Sequence, residues 1–116
     1  MLPLHINGFP IGNGLVDTGS TVTILPMELH GVLGVDLNYD KKIVMHTAGG
    51  GTLIAIPSYK KVAYSIDQSG FRSIQWNGIL YFSALQKTTL IGHYECLDQL
   101  VLTLDGPRRK LRVEKK

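Results

Sequence analysis

The sequence predicts an all-β protein, mostly β with one short C-terminal helix, whose single domain covers residues 1–107. Three observations favour this fold class. Short runs of β-branched, aromatic and aliphatic residues recur between turn residues along the chain. Helical spacing of apolar side chains is clearest over one stretch, residues 93–100. A chain of 116 residues can build one hydrophobic core and is too short for two. Many short strands with frequent turns are typical of a β-sandwich or barrel.

Turn residues divide the first half of the chain into two hairpins. Asn7-Gly8 is a strong signal for a two-residue hairpin turn, and the glycine-rich tip at residues 47–51 separates two further strand-like arms. Between the hairpins, residues 27–35 are predicted to be irregular, because glycines interrupt their helical pattern. The predicted strands of this half are residues 2–6, 9–11, 15–16, 21–25, 42–45 and 52–56.

The second half of the chain is predicted to contain short strands and the helix. Apolar side chains at helical spacing over residues 93–100 predict one helix of about two turns. After a turn at residues 105–107, Leu111 and Val113 alternate with charged residues, which predicts an edge strand. The other predicted strands are residues 61–66, 71–76, 79–82, 90–91 and 101–104.

The positive charge of the chain is concentrated at its C-terminus. The formal net charge is +3, yet residues 108–116 alone carry six basic side chains and one acidic one. The preceding residues therefore hold six basic and eight acidic side chains, a net −2. We interpret residues 108–116 as a basic C-terminal tail or edge strand. A weakly acidic body with a basic end gives poor support for a nucleic-acid surface, so no nucleic-acid partner is predicted.

The composition also bears on compartment and cofactors. Cys96 is the one cysteine, so the chain cannot form an internal disulfide. The apolar runs are far shorter than the roughly 20 residues of a membrane helix, and the N-terminus lacks the pattern of a secretory signal. The four histidines have no zinc-type spacing. We expect an intracellular, cytoplasmic protein with no membrane partner, no metal and no cofactor.

The most informative tripeptide is Asp17-Thr18-Gly19. It follows the apolar residues Leu15 and Val16, and a carboxylate at the end of an apolar strand is costly to desolvate unless it has a partner or a function. Taken alone, the tripeptide is equally consistent with an ordinary Asx turn, because all three residue types favour turns. Its flanking residues and the rest of the chain distinguish the two interpretations.

The segment resembles the active-site motif of aspartic proteases, in which two apolar residues precede Asp-Thr-Gly and Ser or Ala follows, here Ser20. This short chain carries the motif once, and in this it is similar to the retropepsins, which carry the motif once and dimerise. Two further features occur in the order of that family. They are a glycine-tipped hairpin similar to the family's flap, at Ala48, Gly49, Gly50 and Gly51, and a second apolar-apolar-glycine motif at Leu90, Ile91 and Gly92.

The resemblance covers residues 2 to 104 and implies both a fold and an activity. The implied fold is a closed, retropepsin-like β-barrel or sandwich with a flap hairpin. The implied activity is that of a homodimeric aspartic endopeptidase, in which Asp17 of each subunit contributes one carboxyl group. Two carboxyl groups about 3 Å apart share one proton, so one can act as general base toward water and the other as general acid. Thr18 would stabilise the pair across the dimer axis, and Gly19 would let the substrate backbone approach.

Several finer expectations accompany that implied activity. The Ser20 hydroxyl is expected to donate a hydrogen bond to the Asp17 carboxylate, which favours the charged form, so activity should shift toward higher pH in Ser20→Ala. The substrate would be an extended peptide bound as an added strand. In the family arrangement its apolar subsites would lie near Ile24, Leu25, Ile54 and Ile91.

The chain departs from the viral pattern at one place. Viral retropepsins usually have an arginine directly after the second glycine, paired with an acidic residue two positions beyond the Ser or Ala. These positions hold His93 and Val22, so that ion pair cannot form, and a cellular member of the family is favoured. Two other classes stay open: a catalytically silent module that holds a peptide in the same groove, and a small β-barrel that binds nucleic acid through residues 108–116.

Overall fold

Strands make up about half of the chain in the computed structural model, which describes residues 2–17, 19–46, 50–67, 73–108 and 110–116. The predicted mostly-β class is confirmed. The strands are β1 Leu2–Ile6, β2 Phe9–Val16, β3 Ile24–Pro26, β4 Ile43–His46, β5 Thr52–Pro57, β6 Val62–Ile66, β7 Ile74–Gly78, β8 Tyr81–Ser83, β9 Leu90–Ile91, β10 Leu100–Asp105 and β11 Lys110–Lys115. The helix α1 spans Leu29–Leu33, and two 3-10 turns span Tyr39–Lys41 and Leu97–Gln99.

Nine strands form one sheet in the order β4-β5-β8-β3-β9-β2-β1-β6-β7, and β10 and β11 form a separate two-stranded sheet. Within the described residues the end strands β4 and β7 do not pair with each other, so the predicted closed barrel is wrong. Short strands that bury one face occur both in open sheets and in barrels. Their sequence pattern therefore does not distinguish an open sheet from a closed barrel.

The first hairpin follows the turn chemistry of its sequence. Asn7 and Gly8 both have positive φ, at 51° and 79°, as a type I′ turn requires. β2 then continues without interruption to Val16, whereas two separate strands were predicted. Gly12 has a φ of 81°, and the β1–β2 register shifts between Pro3 and His5. The glycines of β2 are therefore accommodated by an irregularity within the strand pair and do not end the strand.

The helical segments differ from the sequence prediction in both places. The segment predicted to be irregular contains α1, whose one turn buries Leu33 and ends at Gly34 with a left-handed φ of 67°. The helix predicted over residues 93–100 is wrong, because residues 93–96 form turns and only Leu97–Gln99 is a 3-10 turn. Across the described ranges, no helix is long and apolar enough to cross a membrane.

Glu95 explains why the predicted helix does not form. Its φ is +53°, which a right-handed helix does not allow. Tertiary hydrogen bonds hold it there: the Ile79 N–H donates to Glu95 Oε2 at 2.6 Å, and the Trp76 indole N–H donates to the Glu95 carbonyl at 3.1 Å. Glu95 thus connects the C-terminal turn to β7 and the segment that follows it.

The hydrophobic core lies under the nine-stranded sheet and extends to the two-stranded one. The Tyr64 and Trp76 rings stack at 5.2 Å on neighbouring strands β6 and β7. Leu100 of β10 is buried in the same core, and Leu102 and Val113, paired across β10 and β11, pack against it. Most of the basic C-terminal segment, Lys110–Lys115, therefore belongs to a strand that packs on the core.

Candidate active site

Asp17 lies at the end of β2, beside the second predicted motif. β2 and β9 run parallel, with Leu15 opposite Leu90 and Val16 opposite Ile91. The Asp17 N–H continues this pairing by donating to the Ile91 carbonyl at 3.0 Å. The two motifs that the family resemblance named are thus neighbours in space. Asp17 directly follows β2, and it lies beside Ile91, the last residue of β9, which Gly92 follows.

The backbone after Asp17 folds back onto the carboxyl group. The Gly19 N–H donates to Asp17 Oδ1 at 3.0 Å, and the Ser20 N–H donates to the Asp17 carbonyl at 3.0 Å. This Asx turn holds the carboxyl group in one orientation at a partly buried position. Oδ2 accepts no hydrogen bond from the residues that the structure describes. Thr18 lies outside those residues.

Ser20 does not have the partner that the sequence predicted. Its hydroxyl is buried and donates to the Val22 carbonyl at 2.7 Å. A hydroxyl has one proton to donate, so the predicted hydrogen bond to the Asp17 carboxylate is wrong. The reason is local: the chain bends after Ser20, and this brings the Val22 carbonyl within reach of its side chain.

Residues 20–23 are held by the chain segment after β9. The His93 N–H donates to the Ser20 carbonyl at 3.0 Å, and the Tyr94 N–H donates to the Thr21 carbonyl at 2.8 Å. The Gly92 N–H donates to the Thr23 Oγ1 at 3.0 Å. Gly92 lies so close to the Val22 backbone that a side chain at this position would overlap it. Glycine is therefore required here by close approach.

Thr23 is the residue at this site that sequence reasoning missed. It is fully buried, and its hydroxyl partly offsets the rise in the pKa of Tyr64 and of Cys96. The one available signal was a hydroxyl side chain among apolar residues shortly after Asp17. That signal is weak, because threonine is common in ordinary strands.

Cys96 is not a candidate nucleophile. Burial raises the pKa of its thiol to about 11, against an ordinary 9.0, with the Thr23 hydroxyl opposing the rise. The thiol is therefore protonated at neutral pH, and only the thiolate is a good nucleophile. Burial likewise raises the pKa of Tyr64 well above its ordinary 10.0, and the nearby Cys96 adds to that rise.

The predicted flap corresponds to the β4–β5 hairpin. Met45 pairs with Leu53 and His46 with Thr52, so the arms are in register up to the tip. Gly50 and Gly51 are exposed, and Gly50 has a φ of 83°. Ala48 and Gly49, which the resemblance placed at the tip, lie outside the described residues.

The hairpin is connected to the candidate site through the sheet. β5 pairs with β8, β8 with β3, and β3 with β9, beside which Asp17 lies. On its outer surface, Val44 is 63% exposed and Ile54, its cross-strand partner, 50% exposed. The arms therefore present apolar side chains to solvent.

The expected apolar subsites are only partly accessible. Ile24, Leu25 and Ile91 are at most 1% exposed and belong to the core, so a substrate cannot contact them at the surface. Ile54 is accessible, and so is Leu15, which is 46% exposed two residues before Asp17. Of the four residues expected near the subsites, Ile54 is therefore the one that is exposed to solvent.

The comparisons with known proteins add no family assignment. No protein-family model matches this chain, and no curated protein matches it either. In the part of the chain that the structure describes, no three His, Cys, Asp or Glu side chains lie together in a way that could hold a metal ion.

Proposed function

We propose that the chain is a retropepsin-type aspartic endopeptidase that is active as a homodimer. The observation that carries this proposal is the parallel pairing of β2 with β9, which brings the Asp17 turn next to Ile91 and Gly92. The resemblance named two separate motifs without any contact between them. Their proximity supports the proposal, because an ordinary Asx turn has no need of the second motif.

The carboxyl group is suited to one half of an acid–base pair. The Gly19 N–H fixes Oδ1, which leaves Oδ2 for a water molecule or for a second carboxyl group. Peptide hydrolysis by carboxyl groups needs two of them: one accepts a proton from the attacking water, and the other donates a proton to the carbonyl oxygen. One chain contributes Asp17 alone, so a second copy has to contribute the other carboxyl group.

The proposed substrate is an extended peptide. It lies along the β4–β5 hairpin and against the Asp17 turn, held as an added strand by main-chain hydrogen bonds, while side-chain contacts select its sequence. Exposed apolar side chains on the hairpin, Val44 and Ile54, and Leu15 near Asp17 favour apolar residues in that peptide.

The test is cleavage of a mixed peptide library between about pH 3.5 and 7, the range in which carboxyl groups titrate in proteins. Pepstatin-sensitive cleavage is expected for the wild type and for Asp40→Asn, which changes an exposed aspartate outside the site. Asp17→Asn should abolish it. Asparagine keeps the oxygen that accepts the Gly19 N–H, so the variant should stay folded.

The opposite outcomes are also informative. Cleavage that survives in Asp17→Asn would contradict the proposal. So would the absence of cleavage at every pH by a chain shown to be dimeric, and that result would favour the catalytically silent peptide-binding module.

A further inference from the structure

A cavity of about 560 Å³ lies away from the candidate active site. Three chain segments line it: Asn7 in the β1–β2 turn, residues 34–36 after α1, and residues 59–62 leading into β6. None of the motif residues around Asp17 or Gly92 is among them. Its volume falls in the range of about 300–1,000 Å³ that is usual for small-molecule sites.

Lysine side chains outnumber acidic side chains in the lining of the cavity. Lys60 and Lys61 contribute two ammonium groups, and Asp36 is the acidic residue of the lining. Lys61 Nζ lies 3.6 Å from Glu95 Oε1, while Lys60 makes no ion pair with any residue in the described ranges. The Asn7 Oδ1 accepts the Ala63 N–H at 3.0 Å, so the Asn7 NH₂ remains to donate. This donor set favours an anion.

Apolar and aromatic surface lies next to these donors. Val35 and Val62 are buried residues of the lining, whereas the Tyr59 side chain is 59% exposed beside Lys60. A ligand that fills this cavity therefore contacts hydrocarbon as well as charge. A bare inorganic anion would leave that surface uncovered.

We propose that this cavity binds a small carboxylate with an aromatic or apolar body. The carboxylate pairs with Lys60, and the body packs against the Tyr59 ring, beside the small exposed parts of Val35 and Val62. The site is independent of the proposed peptidase activity, because it shares no lining residue with the Asp17 turn.

The cavity lies between the segment that enters the β4–β5 hairpin and the segment that leaves it. The Tyr59 N–H donates to the Asp36 carbonyl at 3.0 Å, and the Asn38 N–H donates to the Pro57 carbonyl at 2.8 Å. These bonds join the segment that enters the β4–β5 hairpin to the segment that leaves it. A ligand in the cavity contacts both segments at the base of the hairpin.

The experiment uses phenylacetate as the probe, with neutral phenylacetamide and cationic phenethylamine as matched controls. Backbone amide shifts of the ¹⁵N-labelled chain are followed at pH 7. Phenylacetate should shift the amides of residues 34–36 and 59–62 saturably, with a dissociation constant of about 1–10 mM, as expected for ten non-hydrogen atoms. The two control compounds should bind up to about fivefold more weakly, the most that one exposed ion pair usually contributes.

Charge variants then test the pairing. Lys60→Gln should weaken phenylacetate binding about threefold and Asp36→Asn should strengthen it, whereas Lys87→Gln, an exposed lysine outside the cavity, should leave it unchanged. Equal binding of the three compounds, shifts confined to other residues, or the same affinity in Lys60→Gln would each overturn the proposal. None of these results depends on peptide cleavage, so the failure of this site and of the proposed function can be told apart.

Discussion

The Thr23 hydroxyl accepts a hydrogen bond from the Gly92 N–H at 3.0 Å, across 69 positions of the chain. Both residues are buried, and the bond joins the segment after Asp17 to the segment after β9. A backbone N–H buried at such a place has no water to replace a lost partner. The segment after Asp17 is therefore held against the segment after β9 by a residue that has no acid–base chemistry of its own.

Replacing Thr23 by valine tests this hydrogen bond. Thr23→Val keeps the shape and leaves the Gly92 N–H without an acceptor, so the free energy of unfolding should fall by about 1–3 kcal/mol. Thr23→Ser keeps the oxygen and should lose less. Urea unfolding of the three proteins measures the difference, and a valine variant as stable as the serine variant would show that the hydrogen bond contributes nothing.

Gly92 and Gly31 form a matched pair of glycine-to-alanine changes. A Cβ at Gly92 overlaps the Val22 backbone, so Gly92→Ala should destabilise the fold by about 3 kcal/mol or more, or prevent folding. A Cβ at Gly31 meets no atom within 4 Å, and this residue lies inside α1. Gly31→Ala should therefore stabilise the protein by about 0.5–1 kcal/mol. Thermal unfolding checks both predictions: the midpoint should fall for Gly92→Ala and rise for Gly31→Ala. Similar midpoints for the two variants would refute the close approach at Gly92.

Alkaline pH should destabilise the fold through Cys96. Because the folded pKa is raised from 9.0 to about 11, the contribution of the neutral thiol is complete below pH 9 and is lost as the pH rises toward 11. The loss assigned to Cys96 is at most about 3 kcal/mol. Urea unfolding at several pH values from 8 to 11 should show a shallower decline for Cys96→Ala than for the wild type. Tyr64, Tyr81 and Tyr94, whose pKa values are also raised, contribute to the decline that remains. Equal slopes would mean that the thiol is not buried in solution.

Ser20→Ala distinguishes the hydrogen bond predicted from the sequence from the one in the structure. Since the hydroxyl donates to the Val22 carbonyl, the variant should lose about 1 kcal/mol of stability and keep the pH profile of peptide cleavage. Cleavage rates measured across the acidic range, beside urea unfolding, check both parts. A profile displaced toward higher pH would restore the hydrogen bond to Asp17.

Much of the fold was predictable because its signals are local. Asn7-Gly8 specifies its turn by backbone conformation alone, and the strand runs follow from residue types. The helix over residues 93–100 could not be rejected in the same way, because its spacing is helical. Glu95 is held in a left-handed conformation by contacts with β7 and with Ile79, and these contacts exist only in the folded chain.

The same distinction between local signals and long-range contacts applies to the candidate site. Asp17 and its turn are visible in the sequence as a motif, and so are Ile91 and Gly92. The parallel pairing that unites them is a long-range contact, which periodicity does not encode. The partner of the Ser20 hydroxyl was mistaken for a related reason: a short side chain near a bend has several acceptors within reach, and the backbone path selects one.

Subunit mixing tests the proposal that Asp17 of one subunit acts together with Asp17 of the other. Wild type is mixed with an equal amount of Asp17→Asn at concentrations where the chain is fully dimeric, and cleavage is measured after subunit exchange. Random assortment leaves about a quarter of the dimers with two wild-type subunits, so activity per wild-type protomer should fall to about half. Mixing with Asp40→Asn should not lower it. Unchanged activity after exchange with Asp17→Asn would show that Asp17 works within one chain and would contradict the shared site.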